Sequence, residues 1–325
     1  MDNSSRKSEP VDLSGVKRYR HADRESIAST GLFGRPVEDL AGEDFFDSLP
    51  QYLKATDLRD FIKAVVAARS ANRPFHVMAG AHTIKVGTSP ILIDLMERNL
   101  ITGISLNSAG LIHDLEVAFF GATSEDVQAG LSDGSFGMVE DTAQMFAAVC
   151  DLAFDRKIGL GEAAGLFIEE KAAPHSRFSL FCNARRSGIP ATIHIGIGTD
   201  IVAQHPEFDG ARAGAGSHHD FKLLCTLCGE IDQGGTVANI GSAVILPEVF
   251  LKALTVARNL GSYESRLTTA NFDMITHYRP TQNVVSRPTQ GCGKGYNFAG
   301  HHEIMIPLLA WGLRRLWDKR DTNKE

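Results

Sequence analysis

Residues 75–120 read FHVMAGAHTIKVGTSPILIDLMERNLITGISLNSAGLIHDLEVAFF, and the pattern of apolar residues changes character several times along them. The run HVMAGAH is short, apolar and without a polar face, as a strand buried on both sides is. TSPILIDLMERNL then spaces its apolar residues at helical steps, with Ser89 expected as N-cap and Pro90 in the first turn. ITGISLN is β-branched and apolar, Ser108-Ala109-Gly110 reads as a small-residue turn, and LIHDLEVAFF is helical again. Two strand–turn–helix units within about 45 residues imply parallel strands joined by helical crossovers.

Working outward, ATIHIGIGTD (191–200), GGTVANIGSAVIL (234–246) and RLTTANFDM (266–274) are further apolar runs separated by helix-sized segments. At least five strands then form a doubly wound, mostly parallel Rossmann-like α/β sheet with helices on both faces. On the N-terminal side, Phe46, Leu49, Leu53, Leu58, Phe61, Ile62, Val65 and Val66 predict one or two amphipathic helices. Residues 1–30 are polar and read as a flexible arm, leaving 31–325 as one α/β domain.

With 43% hydrophobic and 22% charged residues, the chain can bury a large core, which excludes disorder as its main state. A net charge of −6 with dispersed Lys and Arg lacks the basic footprint of a nucleic-acid binder. No apolar run is long enough for a membrane span and no signal core follows Met1, so a cytoplasmic protein is expected. Cys150, Cys182, Cys225, Cys228 and Cys292 read as reduced thiols, with Cys225 and Cys228 packed in a core.

In an open parallel sheet, ligands bind beyond the carboxyl ends of the strands, where helix N-termini offer free N–H groups to anions. The expected strand-end loops AHTIKVGTS, NSAG, GTD, GSA and TTANFD are rich in small and hydroxyl side chains, which suits a dinucleotide. No GxGxxG follows the first strand, and Gly196-Ile197-Gly198 lacks the third glycine. Pattern alone leaves a nucleotide site and plain tight turns both open.

The stretch from Gly80 to Asp114 resembles deoxyhypusine synthase in strand spacing, helix length and the Ser108-Ala109-Gly110 step. Thr199-Asp200, Ile240-Gly241, Thr269-Ala270, Phe272-Asp273, Lys294 and Pro307-Leu308-Leu309 follow in the family's order, so the resemblance spans residues 75–312. It implies a Rossmann-like homotetramer that uses NAD to oxidise spermidine, a polyamine, and transfers an aminobutyl group through an enzyme lysine imine to an acceptor protein lysine. Carried over by position, the resemblance puts NAD against His82, Thr83, Ile84, Lys85, Val86, Ser108, Ala109, Gly110, Asp114, Asp200, Ser242, Thr269 and Ala270. Lys294 in GCGKGYNF becomes the nucleophile, and His113, Asp114, His205, Asp273, His301 and Glu303 the substrate contacts.

The chain departs from the family at Pro247, His205 and His301, where the family has a histidine and two aspartates, and it lacks the Trp-Gly-Lys signature before the lysine. Polyamines are recognised by carboxylates facing ammonium groups, so Glu207, Asp209, Asp220, Asp273 or Glu303 would have to stand in. The second class of function is a nucleotide-binding or assembly protein on the same scaffold that has lost the amine chemistry. Adjacent pairs such as His218-His219 and His301-His302 diverge on a helix or strand, so no metal site is expected. HYRPTQNVVSRPT (277–289) reads as a long ordered loop in which Arg279 and Arg287 could grip an anion.

Overall fold

The computed structural model describes residues 11–26, 28–33, 49, 51–262, 264 and 266–322. Six strands form the sheet: β1 (Phe75–Ala79), β2 (Gly103–Asn107), β3 (Ala191–His194), β4 (Thr236–Ile240), β5 (Thr268–Asp273) and β6 (Lys294–Ala299). Every pairing is parallel and the spatial order is β3-β2-β1-β4-β5-β6. That is the doubly wound Rossmann order, whose direction of winding reverses between β1 and β4. The principal helices are α1 (Leu53–Ser70), α2 (Ser89–Glu97), α3 (Ser108–Phe120), α4 (Glu140–Arg156), α5 (Leu160–Glu170), α6 (Leu180–Arg186), α7 (Gly210–Ile231), α8 (Ile245–Asn259) and α9 (His302–Thr322).

The sheet's two faces differ in chemistry. Phe75, Val77, Ile104, Leu106, Ile193, Ala238, Ile240, Ala270, Phe272, Tyr296 and Phe298 alternate onto one face and join the main core beneath α1 and α9. Phe61 of α1 sits at the centre of that core, with its ring against Phe75, Phe272 and Tyr296. The opposite face carries polar side chains in rows. Asn239 donates to Asn271, which donates to Asn297, both at 2.7 Å. His76, Ser105, Thr192 and His194 make a second row across β1, β2 and β3.

Local chemistry explains the ends of the elements. Asn107 caps α3 by accepting from the Gly110 N–H, so Ser108-Ala109-Gly110 is the first turn of a helix and not a separate turn. Gly121, at φ 67°, ends α3 in the left-handed conformation that glycine adopts without strain. At α2 the N-cap is Thr88 and Ser89 is the first helical residue, one position earlier than the sequence reading. Residues 278–286, expected as a loop, form a helical turn followed by a wider π-type turn. There Arg279 pairs with Glu248 and Arg287 donates to Asn283, which spends both cations on structure.

Residues 1–10 of the expected arm and residues 34–48, which include Phe46, lie outside the described residues. From residue 11 the chain is fastened to the sheet domain. Tyr19 donates to Glu125, His21 stacks on Phe120 at 3.8 Å between ring centroids, and Arg24 grips Glu116 with both terminal nitrogens at 2.8 and 2.9 Å. The Arg24 and Glu116 side chains are 4% and 0% exposed, so this pair closes part of the core. Among the described residues no helix is long and apolar enough to cross a membrane.

Candidate functional site at the carboxyl edge of the sheet

The carboxyl ends of the strands carry two neighbouring constellations. The first surrounds a cavity of about 380 Å³, within the size range of small-molecule sites, lined among others by Lys85, Ala109, His113, Thr199, Asp200 and Arg24. Lys85 ends the single helical turn His82–Lys85 that follows β1, Ala109 and His113 stand on the first turns of α3, and Asp200 closes the loop after β3. Asp200 accepts from Ser108 and, at 3.1 Å, from Thr199, so its carboxylate is aimed across the gap between the ends of β2 and β3.

The back of this cavity is a buried ion pair. Burial raises the Glu116 carboxyl, but hydrogen bonds and charge from Arg24 overcome it and hold the group below its ordinary pKa. Thr142 donates to Glu116 at 2.8 Å and Thr123 also donates to it. Burial pulls His113 down to about 4, against the nearby Glu116, so its imidazole is neutral at pH 7. Its Nδ1 lies 2.6 Å from Thr123 Oγ1.

The second constellation stands at the reversal of strand order. Gly80 follows β1 and Gly241 follows β4; the Gly80 N–H donates to Ile240 at 2.7 Å, and the Gly241 N–H to Phe272 at 2.9 Å. A Cβ on Gly80 would meet the Gly241 carbonyl oxygen at 2.2 Å, and one on Gly241 would meet the His302 ring at 2.6 Å. Glycine at both positions therefore lets the two chains and the first turn of α9 come together. His302 is buried, lies 5.5 Å from the His82 ring, and has no hydrogen-bond partner for Nδ1. Burial, then His302 and Lys85, hold His82 below its ordinary pKa, while Glu303 and Asp273 act in the opposite sense. With its pKa lowered, the His82 imidazole can accept a proton, and the two nearby carboxylates can attract a cation.

Of the residues expected to hold a cofactor, Lys85, Ala109 and Asp200 line the first cavity and Ser108 is bonded to its rim. Thr83 turns its hydroxyl back onto the Gly80 carbonyl, Ile84 is fully buried, and Val86 ends the short turn. Gly110 is held against Leu106, and Ser242 accepts from the Leu246 N–H at the start of α8. The other positions need correcting.

Thr269 and Ala270 do not lie in a strand-end loop: they belong to β5 itself, where Thr269 bonds the Val284 carbonyl and Ala270 is core. Asp114 points away from the cavity, accepting from Ser179 Oγ and the Leu180 N–H at 2.5 and 2.7 Å and so capping α6. Burial raises it to about 6, even though these bonds favour the charged form. His205 is spent on the Gly137 carbonyl at 2.7 Å. His113 lines the first cavity and Asp273 ends β5, while His301 and Glu303 sit exposed in and just before the first turn of α9, 3.8 Å apart.

Lys294 is the largest correction. It is the first residue of β6, paired with the first residue of β5, and the strand carries it to the amino edge of the sheet. Over six residues at about 3.3 Å each, that is more than 15 Å from the carboxyl edge. Its ammonium bonds Asp60 at 3.2 Å and lies 4.8 Å from the centre of the Tyr296 ring. Tyr296 and Asp60 raise its pKa, the reverse of what an imine-forming lysine needs. Sequence reasoning missed Arg24, placed in a polar arm, and Glu116, hidden in an apolar helix; neither carries a local signal.

These features define an α/β protein of the Rossmann-like class, and solved structures share the architecture. A ternary complex of AgrE with ornithine and NAD+ superposes with a TM-score of 0.52 at 12% identity, covering 80% of this chain and 33% of that one. A conserved candidate LOR/SDH protein from Methanococcus maripaludis S2 gives 0.51 at 15% identity, over 87% of this chain and 74% of that one. A candidate deoxyhypusine synthase from Entamoeba histolytica gives 0.45 at 11% identity, over 86% and 82%. The chain spans about one third of the AgrE chain. At these identities the likeness is one of fold. No family model and no curated protein matches the chain.

Proposed function

We propose that the chain binds a nicotinamide dinucleotide along the carboxyl edge and oxidises a cationic, amine-bearing substrate at the reversal of strand order. The observation that carries this reading is the coincidence, at that edge, of the 3-2-1-4-5-6 order with a cavity presenting Asp200 and Lys85. From β3 to β4 is three strand spacings, about 14 Å, a span that suits two linked nucleotides. The residues fit such a group: Asp200 can accept from a ribose diol, and Lys85 can face a phosphate at the end of β1. When bound, the dinucleotide supplies a hydride acceptor.

The chain supplies the rest. Asp273 and Glu303 draw an ammonium group toward the edge, and His82, held neutral by burial beside His302, takes a proton from the amine so that the carbon next to it can release a hydride. The AgrE complex, with an amino acid and NAD+ on a comparable fold, supports the pairing of amine and cofactor. The oxidative half of the chemistry implied by the deoxyhypusine synthase resemblance is retained in this reading. Aminoalkyl transfer through Lys294 is not, because that lysine is at the other edge.

Calorimetry of the full chain with NAD+ and NADH, followed by a panel of amines with NADH absorbance as readout, tests the proposal. Binding with reduction by at least one amine is the expected result. Absence of affinity for either form overturns it; binding without turnover leaves the nucleotide-binding or assembly protein as the correct class.

A further inference from the structure

The polar row on the second face of the sheet continues without a break across three strands. His76 Nε2 lies 2.8 Å from Ser105 Oγ, Ser105 Oγ lies 2.6 Å from Thr192 Oγ1, and Thr192 Oγ1 lies 3.0 Å from His194 Nε2. All four side chains are buried, at 1%, 0%, 0% and 3% exposure. Yet the ends of the row touch surface cavities. His76 lines one of about 330 Å³ with Arg69, Thr102 and Glu230, and His194 lines another of about 260 Å³ with Ser217, His218 and Phe221. His76 is the second residue of β1 and His194 the last of β3, so the row runs from the amino edge of the sheet to the carboxyl edge.

Proton counting gives the row an unusual property. Three hydrogen bonds need three protons, and the two hydroxyls supply only two, so one imidazole must carry Nε2–H while the other presents a bare Nε2. The two assignments are mirror images: His76 donates and His194 accepts, or the reverse. Gly103 makes room for this, since a Cβ there would meet His76 Nδ1 at 2.4 Å. Burial pulls His76 down to about 4 and His194, with His76 nearby, to about 3, so the row is neutral at pH 7 in either polarity.

We propose that the His76–Ser105–Thr192–His194 row is a proton relay joining the cavity at the amino edge to the cavity at the carboxyl edge. A proton arriving at Nδ1 of His76 releases the Nε2 proton to Ser105 Oγ. The Ser105 proton moves to Thr192 Oγ1, the Thr192 proton moves to His194 Nε2, and His194 sheds its Nδ1 proton into the far cavity. One proton enters, one leaves and no electrons move. The row ends neutral in the mirror polarity; a second proton in the same direction requires both hydroxyls to turn over and both imidazoles to return their proton to the other ring nitrogen, Nε2 in His76 and Nδ1 in His194. A purely structural row would hold one polarity. The relay does not depend on the dinucleotide reading, and its test does not use activity.

Nitrogen NMR of the histidine rings in the full chain near pH 7 is that test. In the wild type the Nε2 signals of His76 and His194 are expected between the protonated and bare limits, because both polarities are populated. Thr192→Val removes the central hydroxyl, and Ser105→Ala interrupts the row at a second point. In whichever of these variants melts cooperatively, each ring is expected to move to one limit. Rings fixed at the limits in the wild type, or averaged signals unmoved by interruption in a folded variant, overturn the relay. The wild-type spectrum decides the matter even if neither variant folds.

Discussion

Ser108, the first residue of α3, donates its hydroxyl proton to Asp200 across the gap between the ends of β2 and β3. Two strand-end segments 92 positions apart are thereby joined at the rim of the cavity. A carboxylate anchored in this way would lower the ordering cost of binding a ligand at that rim.

Asp200→Asn should weaken NAD+ binding about tenfold or more, the loss of about 1.5–3 kcal/mol for a charged hydrogen bond. Thermal melting should hardly move, because Asp200 lies on a loop rim, Thr199 is exposed, and the asparagine carbonyl can still accept from Ser108. Equal affinity in variant and wild type, measured by calorimetry, would place the ribose elsewhere.

Lys294→Met should leave NAD+ affinity and any amine oxidation at wild-type levels, and borohydride should trap no adduct at this position. Its pair with Asp60 is largely exposed, so stability should change by less than about 1 kcal/mol. An adduct mapped to Lys294 by mass spectrometry would reinstate it as a nucleophile.

Arg24→Met leaves the Glu116 carboxylate buried with hydroxyls and a neutral histidine for company, at a cost of roughly 3–5 kcal/mol. Adding Glu116→Gln should recover much of the loss. Urea unfolding of both variants checks the coupling; a single variant as stable as wild type would mean the N-terminal segment is dispensable.

Stability should fall as pH drops below about 6.5, by about 1.4 kcal/mol per pH unit for each buried neutral histidine. The sign follows from the shift. His76, His113 and His194 have folded pKa values of about 4, 4 and 3, so the unfolded chain binds more protons between those values and 6.5. Asp114 and Asp220, raised by burial to about 6 and 7, oppose this, because ionising them as pH climbs costs the folded state. Three rings outweigh two carboxyls over pH 5–6.5. Urea midpoints for wild type and His76→Gln at pH 5 and 7 check it: the variant should show a flatter dependence.

The winding of the sheet was legible in the sequence because β1 to β5 sit where apolar period changes abruptly, and turn residues punctuate each change. β6 was not. Three glycines surround Cys292 and Lys294, which reads as loop, whereas at the start of an edge strand Gly295 is required: a Cβ there would meet the Val285 carbonyl oxygen at 2.1 Å. The same misreading moved Lys294 to the wrong edge. The strand-end position of Asp200 could be anticipated from the apolar run ATIHIGIGTD that it closes. Asp114 could not be assigned correctly, because its partner, the start of α6, is 65 positions away and nothing local announces it. The π-type turn at 281–286 carries two prolines nearby and no helical period, so pattern reading has no purchase there.

The meeting of Gly80 and Gly241 limits how this molecule can move. Backbone touching backbone at the middle of the sheet works as a rivet, and a rivet does not hinge. Because β1 and β4 are also paired along their whole length, the β3-β2-β1 half and the β4-β5-β6 half meet as one continuous plate with no linker between them.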